Sequence, residues 1–281
     1  MDARESHALN PAGPGRFRVA LLVAMAALAV AVTLCLPPWP QPAGYHSFVD
    51  RRTLLGVPNF FNVVSNAAFA LVGAAGLWFL AGDAASARRG RPSGLAWQDR
   101  CTFGVMFAGV FLTALGSAGY HLRPDNAALF WDRLGMSVAF MGFLAGMIVE
   151  RVSRNGGAAL LVPLVVGGLA SVAYWQWTER QGAGDLRFYA LVQVFPLLVL
   201  PYLALALRPR YLAPAGLLAA AGWYALAKVA ECLDGEVYAL GGLLSGHTLK
   251  HLAAAAGAYW VLRTIVRGCR RPGQARSERA G

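Results

Sequence analysis

A chain of 281 residues that is 57% hydrophobic and only 14% charged is too apolar for an ordinary soluble domain of that length. Its net charge of +11 at pH 7 does not signal nucleic acid, because the arginines sit in short segments between apolar runs and in the C-terminal tail, with no basic face interleaved with aromatics. The pattern is that of an integral membrane protein, and the scattered Cys35, Cys101, Cys232 and Cys269, without a CxxC pair, read as small packed hydrophobes.

Residues 1–16 read as a disordered N-terminus. The apolar run 17–36 is about the length a bilayer-crossing helix needs and exceeds a signal-peptide core, and no convincing A-x-A cleavage site precedes the break at Pro37-Pro38-Trp39-Pro40. It is expected to be a retained helix. A loop over 37–58 leads to a second span at 60–81, whose opening carries Asn62, Ser65 and Asn66, polar side chains expected to pack against neighbouring helices or the backbone of the preceding loop. Further spans are expected at 101–121, 132–150, 158–176, 188–207, 211–231 and 245–266, eight in all, followed by a basic tail over 268–281. The fold class is therefore an all-α polytopic bundle with no second domain.

Arginine placement orients this bundle, because the membrane side richer in Arg and Lys is normally cytoplasmic. With the N-terminus inside, seventeen arginines fall on the inner side and six on the outer, so both termini are expected in the cytoplasm. Trp39, Trp131, Trp175 and Trp177 then fall at outer helix ends, as interfacial aromatics should. The Arg- and Ala-rich composition points to a bacterial inner membrane.

That orientation puts three histidines at one depth in the outer leaflet. His121 closes the third span, and His247 and His251 open the eighth, four residues apart and hence on one helix face. Ionisable residues at such depth are functional hypotheses by default. The His-x-x-x-His pair alone has two readings: two imidazoles on one metal, or two histidines hydrogen-bonded at a helix interface. Adding His121 makes three histidines with an open fourth position, as in a catalytic zinc site. Haem fits poorly, since two histidines on one helix face cannot be opposed axial ligands. Ser117, one turn before His121, either faces the same pocket or bonds a carbonyl one turn back. Asp132 either caps its helix or pairs with Arg133, or else accepts a proton from the metal's water. Lys228 and Glu231, three residues apart, are expected to neutralise each other, with Asp234 and Glu236 beyond them. Lys250 is expected to snorkel outward or to meet a carboxylate. Glu179, Arg180, Asp185 and Arg187 read as solvated loop surface, and His7 and His46 lie outside the spans.

Ser117-x-x-x-His121, an Asp eleven residues later at 132, and His247-x-x-x-His251 in the last span resemble the alkaline ceramidase family of seven-helix membrane hydrolases, and more distantly the adiponectin-receptor group. Phe61-Asn62-Val63-Val64-Ser65-Asn66 resembles the opening of that family's first helix. The likeness covers 45–267, leaving 17–36 as an additional helix. It implies a zinc amidase that cleaves the N-acyl bond of a sphingoid base, with His121, His247 and His251 as zinc ligands and Asp132 and Ser117 beside the reacting water. The family's acidic calcium-binding stretch corresponds here to 45–59, which offers only Asp50 as a carboxylate, so calcium is not expected. The substrate is ceramide or another N-acyl lipid. Two other functions remain open: a lipid receptor with a structural zinc, predicting metal without hydrolysis, and a proton-coupled transporter using the membrane histidines and Asp132.

Overall fold

The computed structural model describes residues 14–91 and 93–269, and these contain helices and no strands. The expected disordered ends lie outside the described residues, except that 14–16 and 268–269 are helical. The long helices are α1 (Pro14–Cys35), α3 (Ala67–Arg88), α4 (Trp97–Leu122), α5 (Asn126–Arg151), α6 (Arg154–Arg180), α7 (Arg187–Ala206), α8 (Pro214–Cys232) and α10 (Gly246–Cys269). Short helices α2 (Phe60–Val64) and α9 (Asp234–Ala239) lie just before α3 and α10.

Among the described residues six segments are long and apolar enough to cross a membrane: Arg16–Cys35, Phe60–Arg88, Trp97–Leu122, Asn126–Arg151, Arg154–Arg180 and Arg187–Ala206. The protein is thus an integral membrane protein by the length and composition of its helices. The expected seventh and eighth spans, α8 and α10, are helical but less apolar, because they carry Lys228 and Glu231 on one and His247, Lys250, His251, Arg263 and Arg267 on the other. They pack against each other, and α10 also lies against α3.

Local chemistry explains the boundaries. The fourth span begins at Asn126 rather than near 132, because Asp125 is its N-cap and accepts the Ala128 amide at 2.7 Å. Ser153 likewise caps α6 through the Gly156 amide at 3.1 Å. The second span is broken at Ser65-Asn66. There the Ser65 hydroxyl and the Asn66 amide both donate to the Asn62 carbonyl, at 3.1 and 2.7 Å, competing with the helical ladder.

The centre of the bundle is the α4–α5 pair, which also contacts α3, α6 and α7. The two backbones touch through glycine. A Cβ on Gly109 would lie 2.3 Å from the Ala139 amide nitrogen, and one on Gly135 2.5 Å from that of Thr113. At one end of the bundle Glu150 is fully buried and accepts the backbone N–H groups of Arg210, Tyr211 and Leu212 at 2.8–3.0 Å, fixing the turn between α7 and α8. At the other end lies the segment between α1 and α2, which makes a 3-10 turn at Ala43–His46. Helix α1 packs at the periphery against α7, where Tyr202 donates to the Arg18 carbonyl at 2.7 Å.

Candidate metal centre

The end of the bundle beneath this segment brings α2, α4 and α10 together. Asn59 donates its side-chain amide to the His121 carbonyl at 2.8 Å, fixing the end of α4. Asp234 accepts the His247 amide at 2.7 Å and Ser245 that of Thr248 at 3.2 Å, so the first turn of α10 is capped where its histidines begin. Asn62 on α2 accepts from the Thr248 hydroxyl at 2.8 Å, and the Ser65 hydroxyl meets His251 Nδ1 at 2.8 Å. Asn62 and Ser65 thus pack on a neighbouring helix as expected and place α2 directly against the histidines, whereas Asn66 bonds carbonyls of α2 itself rather than the preceding loop.

His121, His247 and His251 form a compact triangle. Their ring centres are 4.9, 5.0 and 4.9 Å apart, and one nitrogen from each lies within 4.8 Å of the other two. His121 is buried, and neither of its ring nitrogens has a hydrogen-bond partner. An orphaned imidazole at that depth costs about 1–3 kcal/mol or more unless something binds it. His251 keeps Nδ1 on Ser65, which leaves Nε2 as its free donor. The three side chains can hold a metal ion, and of the two readings of the His-x-x-x-His pair the interface one accounts for His251 Nδ1 on Ser65 but gives His121 no partner. Phe48, from the segment between α1 and α2, covers the triangle, with its ring 4.6 Å from His121 and 5.0 Å from His247.

Next to the triangle opens a cavity of about 360 Å³. Ser117, Asp132 and His251 line it together, along with Lys228, Glu231 and Lys250. Asp132 is not a helix cap, because it stands in the second turn of α5, and Ser117 is its hydrogen-bond partner. No bond from Ser117 to a carbonyl one turn back is found among the described residues. On three walls the cavity follows a helix for ten or eleven residues, from Ser117 to Met106, from Asp132 to Phe143 and from His251 to Val261. At 1.5 Å per residue this is about 15–16 Å, roughly the reach of an extended acyl chain of a dozen carbons.

Glu231 takes both neighbouring ammonium groups. It pairs with Lys228 and, at 2.6 Å, with Lys250, so Lys250 meets a carboxylate as anticipated. Six other residues differ from expectation. Trp175 is fully buried rather than interfacial, because Arg133 stacks over its ring at 4.0 Å. Arg133 forms no ion pair with Asp132. Asp185 is 2% exposed rather than solvated, since it bonds Arg187 at 2.8 Å and accepts the Tyr174 hydroxyl at 3.3 Å. Cys35, Cys101 and Cys232 are exposed on helix surfaces instead of packed inside.

Sequence reasoning missed several residues that hold the site. His46 bonds Tyr120 at 2.9 Å and Asn126 at 3.0 Å, tying the covering segment to α4 and α5. Glu179 accepts the Gln41 amide at 3.0 Å and the Trp175 indole at 3.1 Å. Asp50 is bound at both oxygens by Arg52, at 2.8 and 2.7 Å. Phe48 carried no signal of its own, and Ser65 one for packing only, since each meets its histidine across a long stretch of chain.

Fold and site together define an all-helical integral membrane protein with a buried three-histidine cluster able to bind a metal. No protein-family model matches the chain, and no curated protein sequence does.

Proposed function

We propose that this protein is a zinc-dependent membrane amidase, of alkaline ceramidase type, that hydrolyses the N-acyl bond of ceramide or a related lipid amide. The observation that carries the reading is the buried His121, unpartnered at both ring nitrogens, facing His247 and His251 beside a cavity that also holds Asp132 and Ser117. Zinc suits the donor set, because a tetrahedral ion with Zn–N of about 2.0–2.1 Å sets imidazole centres about 5 Å apart. Bound there, zinc supplies Lewis-acid polarisation and brings the pKa of water to about 7.

The chain's own residues supply the rest. Asp132 accepts a proton from the attacking water as the new C–O bond forms, and returns it to the amine nitrogen as the C–N bond breaks. The Ser117 hydroxyl orients that carboxylate. The apolar walls hold the acyl chain, and the headgroup stays at the polar end near Lys250. In this reading α8 and α10 are also spans, giving eight crossings with both termini cytoplasmic and the site in the outer leaflet of a bacterial inner membrane. Helices from 45 to 267 form the catalytic core and α1 is an addition. Because Lys228 and Lys250 both pair with Glu231, a proton relay for transport has no free carboxylate there.

The test is metal content together with fatty-acid release from ceramide and other N-acyl lipids. Wild type should carry about one zinc per chain and release fatty acid. Asp132→Asn should keep the zinc and lose about 10²–10⁴-fold in rate. Purified wild type without zinc would overturn the reading, and zinc without hydrolysis of any amide lipid would replace it with a lipid receptor.

A further inference from the structure

Among the charged side chains that line the cavity and have no part in the proposed chemistry, Lys228 and Glu231 pair with each other, whereas Arg133 has no ion-pair partner among the described residues. It lies on α5, is 4% exposed and lines the cavity. Its Nη2 donates to Gln41 Oε1 at 2.6 Å, while Nη1 is buried with no hydrogen-bond partner. No carboxylate forms an ion pair with it among the described residues. The guanidinium instead faces three aromatic rings, with Trp175 at 4.0 Å, Tyr189 at 4.9 Å and Tyr45 at 5.5 Å. Rings attract a cation but do not neutralise it.

The charge of the cavity as a whole is also unbalanced. Arg133, Lys228 and Lys250 face only Asp132 and Glu231, an excess of one positive charge. Glu231 is shared by the two lysines, so it has nothing left for Arg133. A buried charge at membrane depth is costly unless something pairs with it. A planar guanidinium with an unpartnered N–H, on a residue that lines a cavity, has the shape and charge to take a carboxylate or phosphate oxygen.

From this we infer that the cavity takes an amide lipid with one anionic group, a carboxylate or a phosphate, and that Arg133 is the residue that selects it. The inference rests on the amidase reading for the word amide only, since the anion subsite stands on Arg133 and the cavity's charge. It narrows the ligand from N-acyl lipids in general to acidic ones, such as N-acyl amino acids or phosphorylated N-acyl amines.

The experiment is equilibrium binding to the full-length protein in nanodiscs, by displacement of a fluorescent N-acyl lipid. N-lauroylglycine is compared with neutral N-lauroylglycinamide, and N-lauroyl phosphoethanolamine with neutral N-lauroylethanolamine. Wild type should prefer the acid in at least one pair by about tenfold or more, the size of a charge-assisted hydrogen bond. The pair that shows the preference identifies carboxylate or phosphate. Arg133→Gln should bring that ratio to about one. Glu231→Gln, which removes a negative charge without touching Arg133, should raise it, and this arm decides the matter if Arg133→Gln does not fold. Equal binding of acid and neutral partner by wild type, or an unchanged ratio in Arg133→Gln and Glu231→Gln, would overturn the inference. Fatty-acid release is scored separately. Acid preference without turnover keeps the subsite and rejects the amidase, whereas turnover of neutral ceramide without acid preference does the reverse.

Discussion

Ser65 decides which nitrogen of His251 is free. With Nδ1 held at 2.8 Å by the hydroxyl, Nε2 is left to bind. Partners of this kind typically contribute 10–100-fold to metal affinity. Ser65→Ala should therefore weaken zinc binding by about that factor in a chelator competition, and His121→Ala should abolish stoichiometric binding. A second local effect concerns acid. The Arg52 guanidinium, hydrogen-bonded to Asp50, holds that carboxyl below its usual range. Because the folded value is the lower one, the pair's contribution is complete above about pH 4 and fades as pH falls through the folded value. Proteolysis of the 36–59 segment should thus rise on acidification below about pH 4 in wild type, and Asp50→Asn should show the raised rate already at neutral pH. The three histidines were legible in the sequence because spacing and depth are one-dimensional properties. The pairing of Ser65 with His251 and of Phe48 with His247 was not, because these partners stand 186 and 199 residues apart along the chain.

At the scale of helices, the site depends on how closely α4 and α5 approach. Ser117 and His121 ride on one and Asp132 on the other, and the glycine contacts at 109 and 135 set their separation. Gly135→Val would press a side chain into the Thr113 backbone. Overpacking of this kind costs about 1–3 kcal/mol, so the variant should melt at a lower temperature in detergent. Six of the helices could be read from apolar length alone, with ends that moved by a few residues once the caps at Asp125 and Ser153 were known. The break at Ser65-Asn66 was not readable, because side-chain bonds to the backbone win there over a run that is otherwise apolar enough to continue. Helices α8 and α10 were read from weaker patterns, since the residues that give them chemistry also lower their apolarity.

For the molecule as a whole, the proposed orientation is open to direct test through its own thiols. Cys35 and Cys232 end α1 and α8, while Cys101 lies in the first turns of α4, and all three are unpaired and exposed. With both termini cytoplasmic, an impermeant maleimide should label Cys35 and Cys232 on intact cells and Cys101 only after permeabilisation. The reverse pattern would invert the bundle. One feature also sets how quickly the protein exchanges metal with its surroundings. Phe48 closes over the histidines from a segment stitched down through Gln41, His46 and Arg52. An ion bound there would be shielded on this side until the segment lifts, so its rate of exchange through that face would follow the lifetime of the closed cover. A chelator strong enough to strip the site at equilibrium should take hours to do so in wild type and far less in Phe48→Ala.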